Sequence, residues 1–263
     1  MMDSVRLQSL SWIEAKRALT EDAIVVIPLG AQLKEHGPHL PLQNDWLIAE
    51  YFADRVTTTR RVVLAPTLQH HFYPAFVEYA GSVTLREETA RDLVVDVVRS
   101  LARPGPRRFY ILNTGISTIR ALKPAVEALA EEGILVRFTD TRAALVDVTK
   151  GMLEQEGGTH ADEVETSMML VIAPDRVRMD LALKDYDPRG LPGLSPDPDS
   201  GRTHSPTGAW GDPTKATKAK GERIVEAIFE QITRDLDALR AAEPPERQRE
   251  MPAPWKLKAG PTE

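Results

Sequence analysis

The 263-residue chain contains no cysteine. That excludes disulfides, thiolate metal ligands and a cysteine nucleophile. Any metal must be held by histidine, carboxylate and water, a donor set suited to hard or borderline divalent ions. Long apolar runs are also missing: nothing approaches the roughly 18 uninterrupted apolar residues of a membrane-spanning helix. The first twelve residues lack a basic stretch leading into an apolar signal core. A cytoplasmic protein with no membrane partner is therefore expected. Basic charge is not in excess, since 33 Lys and Arg face 39 Asp and Glu for a formal net charge of -6. Such a balance offers no general surface for a polyanion, so nucleic acid is not an expected partner.

What remains is ordinary for a globular protein, at 42% hydrophobic and 27% charged residues, and the length suits one large α/β domain. Short apolar runs alternate with amphipathic segments, the pattern of a mostly parallel sheet covered by helices. The run Ala23-Ile24-Val25-Val26-Ile27-Pro28-Leu29-Gly30 is rich in β-branched residues and reads as a buried strand. Further strands are expected at 61–66, 108–112 and 134–139. Helices are expected at 46–57, from Glu87 to the Pro104-Gly105-Pro106 stop, at 119–132, 142–154 and 163–171, and from 214 to about 239. Residues 1–240 would form the domain, with 185–213, rich in Pro and Gly, as a long loop or insertion. Residues 241–263 would be a polar tail that orders by packing on a neighbour.

Three clusters can carry chemistry. The first is Lys34-Glu35-His36-Gly37-Pro38-His39-Leu40-Pro41-Leu42-Gln43-Asn44-Asp45, placed where the first strong strand ends, and loops at strand C-termini carry function in open α/β sheets. A loop lets His36 and Asp45 converge on one ion; alternatively, Asp45 caps the next helix and His36 bonds to backbone. The second is Thr159-His160-Ala161-Asp162-Glu163-Val164-Glu165. Asp162 and Glu163 suit a helix N-terminus on electrostatic grounds alone, whereas Glu165 lies deeper and needs a cation or donors if buried. The third is Asn113-Thr114-Gly115-Ile116-Ser117-Thr118, after a strand and before a helix. Asn113, Thr114, Ser117 and Thr118 there can meet a substrate amide, or simply cap the next helix.

Taken in order, these clusters resemble the signatures of the creatininase family of metal-dependent amidohydrolases, which read Glu-Gln-His-Gly-Pro-His-Leu-Pro-Leu-x-x-Asp, then Asn-Gly-His-Gly-Gly-Asn, then His-Ala-Gly-x-x-Glu-Thr-Ser. Leu10-Ser11-Trp12, Ala80-Gly81-Ser82-Val83-Thr84-Leu85 and Gly211-Asp212-Pro213 resemble other family segments, so the likeness covers most of the chain. It implies a three-layer α/β/α domain, a homo-oligomer (commonly a hexamer) and hydrolysis of small cyclic or linear amides with one or two divalent ions. His36 and Asp45 match metal ligands, with Asp45 at the position that bridges two ions; His160 and Glu165 match the third motif, associated with the active site. Two departures stand out. Lys34 occupies the position of the first ligand Glu, and the second motif has no histidine. In the family, both missing ligands serve the same ion. The expectation is an amidohydrolase with at most one zinc, manganese or iron ion, and Lys34 pairing with Asp45 at the vacated cation position. A one-residue shift would alternatively bring Glu35 in as ligand. With no metal at all, Lys34 would stabilise an oxyanion or act as an amine nucleophile, or the chain would bind a small molecule or serve in an assembly without turnover.

Overall fold

The computed structural model describes residues 4–190 and 192–253. Its elements run β1 (Val5–Arg6), α1 (Trp12–Ala18), β2 (Ile24–Leu29), α2 (Asn44–Thr59), β3 (Val63–Leu64), α3 (Glu87–Ala102), β4 (Arg108–Asn113), α4 (Ile119–Ala130), β5 (Leu135–Phe138), α5 (Thr141–Thr149), α6 (Glu163–Ile172), β6 (Leu194–Ser195), β7 (Thr203–His204) and α7 (Lys218–Ala241). Strands β1 to β5 form one sheet in the order β1-β3-β2-β4-β5, with every pairing parallel.

Strand side chains alternate between faces, and this pleat builds the three layers. Ile24, Val26, Tyr110 and Leu112 face a core shared with α2, α6 and α7, while Val25, Ile27, Phe109 and Ile111 face a second core shared with α3 and α4. All six residues of β2 are buried, as expected of a central strand covered on both sides. The expected strand at 61–66 is reduced to Val63–Leu64, and α5 stops at Thr149 rather than 154. The last helix starts at Lys218, capped by the Thr217 hydroxyl, because Pro213–Lys215 form a separate turn. Among the described residues no helix is long and apolar enough to cross a membrane.

Two segments outside the layers have defined places. In 185–213, β6 and β7 pair in parallel, and the Trp210 backbone exchanges hydrogen bonds with His160. Residues 242–253 lie along their own domain: the N–H groups of Gln248 and Arg249 both donate to the Glu131 carbonyl. The remainder of the polar tail, 254–263, lies outside the described residues.

Candidate active site

The loop after β2, the first turn of α2 and the start of α6 bring together one buried polar cluster, bordered by a cavity on the His160 side and another on the Glu165 side. Gly30, directly after β2, lets α2 come close: a Cβ there would stand 2.3 Å from the Asp45 carbonyl oxygen. Asp45 sits inside the first turn of α2, whose N-cap is Gln43. Its side chain does not cap the helix but turns into the cluster and is 1% exposed. One carboxylate oxygen lies 2.7 Å from Lys34 Nζ and the other 2.8 Å from His36 Nε2.

Lys34 is itself buried, with its ammonium over the rings of Phe76 and Tyr73 at 5.0 and 5.5 Å. Burial alone would lower its pKa, but the charges of Asp45, Glu165 and Glu35 outweigh it and raise the value. Asp45 shows the converse balance: burial would raise its pKa, yet Lys34 and His36 hold it well below the usual carboxylate range. Lys34 is thus a fixed ammonium. A Lys nucleophile needs a depressed pKa and a free lone pair, so this environment opposes the amine-nucleophile role considered from sequence.

The second corner is built by the N-terminus of α6. Asp162 caps it, accepting from the N–H groups of Val164 and Glu165; burial and then the Glu165 charge push its pKa up to about 6. Ala161 has a positive φ of 46°, a strained conformation for a residue with a Cβ, and its N–H donates to Glu165 Oε2 at 2.6 Å. His160 lies between two carboxylates: Nε2 is 3.0 Å from Glu35 Oε2, and Nδ1 is 3.7 Å from Glu165 Oε2. Glu35 also accepts a short hydrogen bond from the Gly37 N–H. Gly208, at φ +82°, packs so closely on the Glu35 carboxylate that a Cβ would collide with it.

One ring nitrogen of each imidazole is anchored. His36 Nδ1 is 2.9 Å from the Lys34 carbonyl, which can only accept, so that nitrogen carries the proton. His160 Nε2 stands at Glu35 in the same way. The other nitrogens face carboxylates, His36 Nε2 at Asp45 and His160 Nδ1 at Glu165. One ligand atom each from His36, His160 and Glu165 lies within 4.8 Å of the others, giving the His2Glu donor type of open catalytic metal sites, with the outer nitrogens held as such ligands require. Charge agrees. Lys34 alone faces three carboxylates, Asp45, Glu35 and the partly buried Glu165, an excess of negative charge that one divalent ion would offset. The residues present fit one such ion.

The third cluster turns its polar groups inward. Asn113 donates to the Gly115 and Thr139 carbonyls and accepts from Gly115 N–H and Thr118 hydroxyl. Ser117 bonds the Phe72 carbonyl and Thr114 the Leu29 carbonyl. Asn113 and Thr114 also line the space beside Glu165. Glu35 is placed as partner of His160, and His39 is held by Thr166 at 2.8 Å. Sequence reasoning missed Tyr73, Phe76 and Trp210. The aromatic run His70-His71-Phe72-Tyr73, just past β3, was the available signal.

Residues 8–236 match the family described as Creatininase: creatinine amidohydrolase. Creatinine amidohydrolase of Pseudomonas putida is 28% identical over 93% of this chain and all of that protein. Mycofactocin precursor peptide peptidase of Mycobacterium tuberculosis is 31% identical over 80% of this chain and 83% of its own. A creatininase mutant solved in a zinc–zinc form shares the fold at a TM-score of 0.73, with 24% identity over 92% of this chain and 100% of that one. Creatininase has also been solved in a manganese form, which superposes with a TM-score of 0.71.

Proposed function

This chain belongs to the creatininase family of amidohydrolases, and we propose that it hydrolyses a small cyclic or linear amide with one divalent ion where two are usual. The observation that supports this most directly is the pairing of the buried Lys34 ammonium with Asp45 at 2.7 Å, beside a His36, His160 and Glu165 cluster that retains excess negative charge. A monovalent side-chain cation replaces one ion. The second corner suits the other.

His36, His160 and Glu165 would hold that ion. When bound, zinc, manganese or iron would polarise the amide carbonyl and ease deprotonation of water. Glu35 fixes the His160 ring through Nε2. Lys34, permanently charged and wedged between Asp45 and two aromatic rings, supplies a preorganised positive charge on the side where the carbonyl oxygen gains negative charge. Among the described residues no hydrogen bond reaches Glu165 Oε1, so this atom is available to carry the proton from water to the leaving nitrogen. Water oxygen bonds to the carbonyl carbon, the C–N bond breaks, and the products are a carboxylic acid and an amine.

The test is metal content. Protein purified without added ions and then titrated with zinc, manganese or ferrous ion should bind about one ion per chain, and turnover on a panel of amides should follow loading. His36→Ala should abolish both. Loading of fewer than about a tenth of chains with no gain in activity would sink the metal-assisted reading. Lys34→Met should lower kcat while leaving the ion bound; unchanged turnover would remove Lys34 from the reaction.

A further inference from the structure

A second space opens on the far side of Glu165. It is a cavity of about 530 Å³ between α2, α5, α6, α7 and the end of β4, within the size range of small-molecule sites. Its walls are mainly apolar, with Phe52, Leu112, Met168, Ile228 and Ile232 from the core and Leu145 from α5. Polar groups gather at the cluster end, where Asn113, Thr114 and Thr159 stand with Asp162 and Glu165. Arg142 lies on the exposed rim with Val146, which is 65% exposed.

The acids at this end are not equivalent. Asp162 spends its carboxylate on the α6 cap and on Gln155 Nε2 at 2.7 Å. Glu165 is 18% exposed, reaches His160 on one side and lines the cavity on the other. It joins the two spaces. Resting on the amidohydrolase reading above, we infer that the cavity seats an apolar substituent on the leaving nitrogen, so that the substrate is an N-alkyl or N-arylalkyl amide and the product an apolar primary amine. Because Glu165 delivers the proton, the nitrogen that receives it lies at the cavity mouth. Its substituent then points into the apolar space. Once formed, the ammonium product meets the Glu165 carboxylate. A carboxylate-headed molecule of the same length would face like charge.

Binding of n-alkylamines from butyl to octyl tests the cavity without turnover. Titration calorimetry on metal-free protein should show affinity rising roughly threefold to fourfold per methylene until the space is filled, with hexanoate and octanoate binding at least about tenfold more weakly. Leu145→Trp should flatten the chain-length series while leaving metal content unchanged. Val146→Trp, at the exposed rim, gives a second variant free of core disruption and should weaken octylamine more than butylamine. With metal-loaded protein, kcat/KM should rise from N-methylacetamide to N-hexylacetamide. Amine affinities independent of length, or alkanoates binding as well as amines, would overturn the inference even if small amides are hydrolysed. Length-dependent amine binding with no hydrolysis of any amide would keep the cavity as an amine site and remove the amidohydrolase reading instead.

Discussion

At the Lys34 corner of the cluster, Asp45 has a cation in contact with one oxygen and an imidazole in contact with the other; at the His160 corner, two carboxylates flank a single imidazole. The first corner is balanced by the chain's own side chains, and the second is left negative. In the proposed reading, Lys34 at the position of the family's first ligand glutamate therefore has a local effect. It closes one cation position and leaves the electrostatic demand of the other in place.

Removing one carboxylate from each corner is the most direct way to break this contrast. Asp45→Asn strands a buried ammonium and should cost about 3–5 kcal/mol of stability, read as a lower midpoint in urea unfolding. Lys34→Met in the same chain should recover much of that loss. A double variant no more stable than Asp45→Asn would mean that the corner is held by packing, with charge pairing secondary.

The imidazole of His71 supplies a comparison without acids. It is wholly buried, and burial lowers its pKa from 6.5 to about 4. A depressed folded-state value means that the unfolded chain binds the proton first. The contribution is full above pH 6.5 and is lost as pH falls toward 4, by at most about 3 kcal/mol. NMR titration should place the His71 midpoint near 4; a midpoint near the unperturbed value would show that burial does not govern the ring.

Glu165→Gln should do far less to stability than Asp45→Asn, within about 1 kcal/mol, because the amide oxygen still accepts from the Ala161 N–H and one negative charge leaves an acid-rich corner. The same substitution should abolish turnover and weaken ion binding. Equal losses of stability at the two corners would erase the difference between them.

Much of this layout was legible in the sequence. The alternating runs gave the layers, because burial on both faces writes β2 and β4 as apolar stretches. The departure at Lys34 was visible against the motif, and so was its pairing with Asp45. Strand β1 was not, since two paired residues leave no periodic trace, and β3 was read at 61–66 but is only Val63–Leu64. Tyr73, Phe76 and Trp210 were missed for a different reason. They lie on irregular segments, and their approach to Lys34 and His160 is fixed only when the sheet brings distant loops together. The hydroxyls of the 113–118 loop are spent largely on internal bonds, while Thr114 also borders the cavity beside Glu165.

Tyr73 gives the finest test of how the two corners share the reaction. Its side chain is buried, its ring borders the Lys34 ammonium, and burial together with the Asp45 charge raises its pKa well above the ordinary value. It therefore stays a neutral phenol and a hydrogen-bond donor. Among the described residues the hydroxyl has no hydrogen-bond partner. Deleting a buried hydroxyl without a partner removes a desolvation penalty, so Tyr73→Phe should change unfolding stability by no more than about 0.5 kcal/mol, in the stabilising direction. If the phenol donates to the substrate oxygen beside Lys34, the same variant should lose about tenfold or more in kcat/KM. A stability gain with no loss of turnover would assign oxyanion stabilisation to Lys34 alone, whereas a loss of stability would show that the hydroxyl is bonded within the fold.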